Sequence, residues 1–191
     1  DYIIYLLRFD KSADDINAFE KFLKILKKSK KKTKILYTSS GAIYKNFSNQ
    51  EKITNPHFDY ARTKIINEKN LRAFSSNRAK CINARCFAFV GKYLPLKSNF
   101  VIGNIIYSII KKKKIVLKSN KNILRSYMYA DDLANILIKI LFSSKKKYVS
   151  YDIGSTDIIS IQKISRFFSK KYNLKLDIKK KENIIKKDEY F

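Results

Sequence analysis

The sequence is poor in the residues that break or staple a chain. Its 191 residues hold four glycines, two prolines, two cysteines, one histidine, one methionine and no tryptophan. So little glycine and proline excludes collagen-like and linker-like chains. Two cysteines, Cys81 and Cys86, are too few for a disulfide scaffold and fit a reducing compartment, so a cytoplasmic protein is expected. No apolar run approaches the roughly 20 residues that span a bilayer, and no membrane partner is read. The opening stretch, residues 1–6, lacks the basic region and cleavage site of a signal peptide. The chain starts at Asp1 and its only methionine is Met128, so the natural N-terminus is expected upstream. No metal-ligand set is assigned.

Acidic residues are also scarce. Sixteen Asp and Glu stand against 42 Lys and Arg, a net charge of +26. Such an excess ordinarily points to nucleic acid or an anionic membrane. Here it is almost all lysine and travels with abundant Ile, Asn, Tyr and Phe, residues that share A/T-rich codons. The lysines fall in short runs at 27–28, 30–32, 111–114, 145–147 and 179–181, at helix ends and in loops, where a cation is favourable. Base-edge readers and a known nucleic-acid motif are missing, so nucleic acid is not read as the partner. A basic, non-catalytic binding module, or an inactive remnant, stays open as the reading from another class.

What the chain does have is a core. Hydrophobic residues make up 45% and aromatics 14%, enough to exclude wholesale disorder. Residues 2–7 form a continuous apolar run of buried-strand length. Ile16, Phe19, Leu23 and Leu26 give residues 13–28 a helical spacing. A strand at 34–38 follows, broken by Ser39-Ser40-Gly41. A polar loop over 46–59 leads to a helix at 60–74 and a third strand at 79–90. Beyond it come a helix at 101–110, short strands at 115–117 and 127–129, a helix at 131–142, a strand at 148–153, a helix at 161–172 and a strand at 174–178. Residues 179–191 are charged and read as a frayed end. Alternation of strands and helices makes this an α/β chain with a mostly parallel sheet. Shorter strands in the second half suggest a lobe packed over the ends of the main sheet.

Two stretches carry residues suited to chemistry. Tyr60-Ala-Arg-Thr-Lys64 sets a phenol and an ammonium on one helical face. A nearby Lys⁺ favours the phenolate, so the phenol becomes a proton-transfer group near neutral pH. Alone, this spacing describes a solvated helix face more often than a site. The second stretch, residues 37–44, is a strand ending in the hydroxyls of Ser39 and Ser40. Ligands of open α/β sheets bind beyond the carboxyl ends of the strands, although Ser and Gly are also ordinary turn residues. The two stretches together, in this order, are far more specific than either.

At these residues the chain resembles the extended short-chain dehydrogenase/reductase family, in its nucleotide-sugar epimerase/dehydratase branch. Residues 3–6 look like the family's fourth strand. Residues 37–44 look like its Ser-Ser-x-x-x-Tyr segment, and Tyr60 to Lys64 like its Tyr-x-x-x-Lys. Arg125-Ser-Tyr-Met-Tyr-Ala-Asp-Asp132 resembles the segment in which an arginine grips the diphosphate of the sugar nucleotide. Tyr151-Asp-Ile-Gly-Ser155 resembles the family's Tyr-Asn-Ile-Gly-Ser. The likeness runs from the start to about residue 170.

The resemblance implies a Rossmann-like doubly wound parallel sheet lacking its first three strands, with a small C-terminal α/β substrate lobe. Residues 1–95 would be a partial dinucleotide-binding domain. Residues 96–191 would be mainly a substrate-binding lobe, with some elements returning to the sheet. The implied cofactor is NAD or NADP, and the implied partner is a nucleotide-diphosphate sugar; a homodimer is possible for this family. Ser40, Tyr60 and Lys64 fall on the catalytic positions. Tyr60 and Lys64, with Phe87, also fall on positions lining the nicotinamide. Ser39, Ser40, Asn99 and Arg125 fall on substrate positions. A bidentate contact to phosphate is the physical reason for Arg at 125.

Departures from the pattern are informative too. No Gly-x-x-Gly-x-x-Gly occurs, since the resemblance begins at the fourth strand and leaves out about 60–80 residues of strand–helix units. Cofactor binding by this chain alone is therefore expected to be impaired. Related 4,6-dehydratases carry Asp-Glu after the catalytic hydroxyl, and decarboxylases keep the Glu; Gly41 and Ala42 stand there here. That favours an NAD(P)-dependent epimerase or ketosugar reductase, with a 4,6-dehydratase or decarboxylase as the alternative within the family.

Overall fold

The computed structural model describes residues 1–7, 11–29, 31–45, 56–96, 100–118, 120, 123–179 and 188–189. The chain forms two compact units and passes between them three times. One unit comprises residues 1–87 with 132–153, the other 88–131 with 154–191. The sequence places the division at 1–95 and 96–191, with some later elements returning to the sheet. The strand over 148–153 pairs with the first unit's sheet, and residues 88–95 belong to the second unit.

The first unit is built on a parallel sheet of four strands. These are β1 (Tyr2–Tyr5), β2 (Thr33–Ser40), β3 (Ala79–Cys86) and β7 (Tyr148–Ile153), in the order β1-β2-β3-β7. In β2, Ile35, Leu36 and Tyr37 are consecutive and each fully buried. Such a run is expected of a central parallel strand covered on both faces. Helices α1 (Ser12–Lys28) and α2 (Pro56–Phe74) pack against each other. Phe19 and Leu23 of α1 and Leu71 of α2 close a core with Tyr5, Ile35, Tyr37 and Cys81. Phe19 lies 4.8 Å from the Tyr5 ring, edge-on, and 4.7 Å from Tyr37. Helix α4 (Ala130–Ser143) is tied to the residues that alternate with these: the Tyr2 ring is 4.7 Å from Phe142, and Lys34 Nζ donates to the Phe142 carbonyl at 2.7 Å.

The second unit contains β4 (Ala88–Val90), α3 (Val101–Ile110), β5 (Ile115–Leu117), β6 (Ile123–Tyr129), β8 (Ile158–Ser160), α5 (Ile161–Lys171), β9 (Leu176–Ile178) and β10 (Asp188–Glu189). Strand β6 pairs in parallel with β4 and β10 and antiparallel with β8, while β5 pairs with β9. Ile102, Ile105 and Ile115 form its core, with Ile164, Phe168, Leu174 and Leu176 packed on them.

Four elements differ from the sequence reading. The strand read over 79–90 is two strands, broken at Phe87. There the Phe87 amide donates to the Ile153 carbonyl, ending one ladder, and Ala88 pairs with Tyr127 in another. The helix bearing Tyr60 begins at Pro56 rather than at Tyr60 itself, and proline suits a first helical turn because its missing N–H would have no partner there. Strand β6 begins at Ile123, four residues before its expected start, and β8 is a strand that the sequence pattern does not mark. Most of residues 179–191, and residues 46–55 of the predicted loop, lie outside the described residues.

Candidate active site

The carboxyl ends of β2 and β3 meet α2 in the first unit, with the carboxyl end of β7 beside that of β3, and most of the candidate residues gather there. Strand β2 runs straight into a single 3-10 turn, Gly41–Tyr44. Ser40 is the cap of that turn: its Oγ accepts from the Ala42 amide at 3.2 Å. A serine with extended backbone just before a turn is well suited to satisfying a free N–H. Helix α2 packs on both the 3-10 turn and β2. This packing brings the Tyr60 and Lys64 helix to the strand end that carries Ser40.

Lys64 is only 4% exposed. Its Nζ donates to the Thr38 carbonyl at 3.2 Å, lies 5.0 Å from the Tyr37 ring centre and 5.7 Å from that of Tyr60. Burying an ammonium is costly unless hydrogen bonds and aromatic faces replace its water, and here both do. Tyr37 is itself buried, and burial pushes its phenol well above the ordinary range. The Tyr37 side chain therefore serves as a neutral wall for the Lys64 cation.

Ser39 and Ser40 part company. Successive residues of a strand face opposite sides. Ser39 is buried and its hydroxyl donates to Glu68 Oε1, so this expected substrate contact is engaged inside the unit. Phe87 lies over Gly41. A Cβ at Gly41 would stand 2.6, 2.7 and 2.9 Å from three Phe87 ring atoms. The Phe87 ring also stacks on Tyr44 at 6.4 Å and 15°. Arg125 belongs to the second unit; it sits on β6 opposite Ile159, and its Nη1 donates to the Leu124 carbonyl at 2.7 Å. Asn99 lies outside the described residues.

A group of polar residues that sequence reasoning did not assemble adjoins this site. Arg85 donates from Nε to both Glu68 oxygens at 3.2 and 3.3 Å and from Nη2 to Oε2 at 2.9 Å. Its Nη1 donates to the Tyr44 hydroxyl, which donates in turn to Asp152 at 2.9 and 3.0 Å. The Glu68 carboxylate holds the Arg85 guanidinium firmly in its charged form. Burial, and the hydrogen bond to Asp152, raise the Tyr44 phenol above its ordinary value. The signal available in sequence was the position of Glu68, one helical turn beyond Lys64 on the same face.

The family model described as the NAD dependent epimerase/dehydratase family matches residues 11–154. The chain belongs to that family. No curated protein sequence matches it. Solved structures share the fold. A dTDP-glucose 4,6-dehydratase of Bacillus anthracis, in complex with NAD, superposes with a TM-score of 0.80 at 14% identity, covering 99% of this chain and 63% of that one. A UDP-N-acetylglucosamine 4-epimerase of Methanobrevibacter ruminantium, in complex with UDP-N-acetylmuramic acid, gives 0.78 at 18%, covering 98% and 66%. The Helicobacter pylori ADP-L-glycero-D-manno-heptose-6-epimerase gives 0.72 at 18%, covering 98% and 63%. The chain thus spans less than two thirds of the length of these relatives.

Proposed function

We propose that the protein containing this chain is an NAD(P)-dependent nucleotide-sugar epimerase or ketosugar reductase. The observation that carries this reading is the buried Lys64 ammonium, anchored to the Thr38 carbonyl and set beside the Tyr60 ring, with the Ser40 hydroxyl on the same strand end. A phenol next to a fixed cation is a base for a sugar hydroxyl, and a lysine at that depth suits the diol of a ribose. This donor set fits the nicotinamide ribose. None of the four glycines forms the glycine-rich turn that would cradle a pyrophosphate, so within this chain the fit covers the nicotinamide end only. When bound, the cofactor supplies reversible hydride transfer at a sugar carbon.

Tyr60 takes the proton from the sugar hydroxyl as the carbon is oxidised and returns it when the ketone is reduced. Lys64 stabilises the phenolate between those events. Ser40 donates to the reacting oxygen and fixes its direction. Phe87 and Gly41 form a flat wall beside the reacting groups. Arg125 is proposed to hold the diphosphate.

The epimerase or reductase reading is favoured over a dehydratase by the space at residue 41. Phe87 occupies the volume that any side chain there would need. An acid serving elimination from that position has no room while the ring stays in place.

Calorimetry on the intact protein tests the proposal. Binding of NAD or NADP, and of at least one UDP-, dTDP- or GDP-sugar, is expected. Binding of neither class overturns it.

A further inference from the structure

The polar row beside the site offers more than packing. Ser39, Arg85 and Asp152 are Cα register partners across β2, β3 and β7, so they form one line across three strand ends. Two further side chains bridge that line. Glu68 reaches it from α2, joining Ser39 to Arg85; Tyr44 reaches it from the 3-10 turn, joining Arg85 to Asp152. Lys64 and Glu68 lie one turn apart on α2. They hold the successive residues Thr38 and Ser39 of β2, immediately before Ser40. The helix bearing Tyr60 and the strand end bearing Ser40 are thereby joined by two rungs, one from a cation and one to an anion.

We propose that Glu68 and Arg85 are positioning residues, which fix the approach of Tyr60 and Lys64 to Ser40 and, through Tyr44, steady the wall made by Phe87. The physical reason is geometric. Arg85 is a planar fork whose two edges are both engaged, one by a carboxylate and one by a phenol oxygen. A fork held on both sides permits little rotation, unlike a point charge. Catalytic groups lose rate steeply when displaced by fractions of an ångström, whereas substrate affinity drawn from remote contacts does not. The Glu68 side chain is only 10% exposed, so it is shielded from the solvent that would loosen an outer pair.

This inference rests on the function proposed above, and its test separates the two. In the intact protein, Glu68→Gln keeps shape and a hydrogen bond to Ser39 while removing the charge from the fork. It is expected to lower kcat at least tenfold with KM for the nucleotide sugar within twofold, and Glu68→Asp is expected to recover part of that loss. Arg85→Lys, which retains the charge without the fork, is the second variant should Glu68→Gln fail to fold, and the same split is expected. A readout that needs no turnover is the titration of Tyr60, followed by NMR with the tyrosine ring carbons labelled and assigned by Tyr60→Phe. Its midpoint in the wild type is expected below that of a free phenol, and in Glu68→Gln to move back towards it. A wild-type Tyr60 with an ordinary midpoint overturns the proposed function. A depressed midpoint that Glu68→Gln and Arg85→Lys both leave in place, with kcat unchanged, overturns the positioning role alone. An equal rise in KM without loss of kcat also overturns it.

Discussion

Replacing Gly41 with alanine isolates the contact that separates the two branches of the proposed chemistry. The new Cβ would sit 2.6 Å from Phe87 Cε1, with Cδ1 at 2.7 Å and Cζ at 2.9 Å. Carbons at rest lie about 3.5–4.0 Å apart, so the ring has to retreat by about 1 Å. It cannot do so by bending, because phenylalanine has only two rotatable side-chain bonds. The Tyr44 ring stacked on it is tethered to Arg85 and Asp152. Inserting a methyl group into packed surroundings costs about 1–3 kcal/mol. For a chain of this size, each kcal/mol lowers the melting temperature by about 2–4 °C. A loss of roughly 2–12 °C is therefore expected by differential scanning calorimetry. In a Phe87→Ala background the obstacle is gone, and Gly41→Ala is expected to cost under about 0.5 kcal/mol. Urea unfolding of the four proteins of this cycle gives the coupling. An equal cost of Gly41→Ala in both backgrounds, or none in the wild type, would refute the claim that Phe87 fills the space at residue 41.

Other expectations follow from the same core. Phe19→Ala removes a fully buried ring that touches Tyr5 and Tyr37, and is expected to cost about 3–5 kcal/mol in urea unfolding; a cost below about 1 kcal/mol would mean that the α1 face is not packed as described. Burial pushes the Cys81 thiol up to about 12 and the Cys86 thiol up to about 11, from 9.0. Between those values the unfolded chain holds fewer protons than the folded one, so stability is full below pH 9 and falls as pH rises towards 11 and 12. A urea midpoint that rises over that range would contradict it, as would native-state modification of Cys81 at pH 8 at the rate of a free thiol.

The elements that sequence revealed most clearly are those whose pattern is local. Helix α1 is marked by Phe19 and Leu23 at helical spacing, and β2 by three consecutive buried residues. Helical periodicity puts Tyr60 and Lys64 on one face, and the serine-ended strand before them, together with the family's Tyr-x-x-x-Lys pattern, made them legible as a candidate site. What sequence does not carry is register between distant strands. Ser39, Arg85 and Asp152 are 46 and 67 residues apart in the chain, and only the ladders of β2, β3 and β7 set them in one row. The break at Phe87 was hidden for a related reason. Residues 79–90 are continuously strand-like, and the change of partner depends on where β7 ends and β6 passes. The opposite facing of Ser39 and Ser40 follows from strand alternation, but the choice of which faces α2 depends on Glu68.

The central claim is that Tyr60, supported by Lys64 and Ser40, moves a proton at a sugar hydroxyl while a hydride crosses to a nicotinamide. The most direct measurement is turnover of a panel of UDP-, dTDP- and GDP-sugars by the intact protein with NAD(H) or NADP(H), in wild-type and Tyr60→Phe forms, with nucleotide-sugar affinity measured alongside. The account predicts conversion of at least one sugar by the wild type. In Tyr60→Phe it predicts a fall in kcat of about 10²–10⁴-fold, the usual contribution of a general acid–base group, with affinity nearly unchanged. Equal turnover by the two forms, or tight sugar binding with no conversion in the wild type, would contradict it.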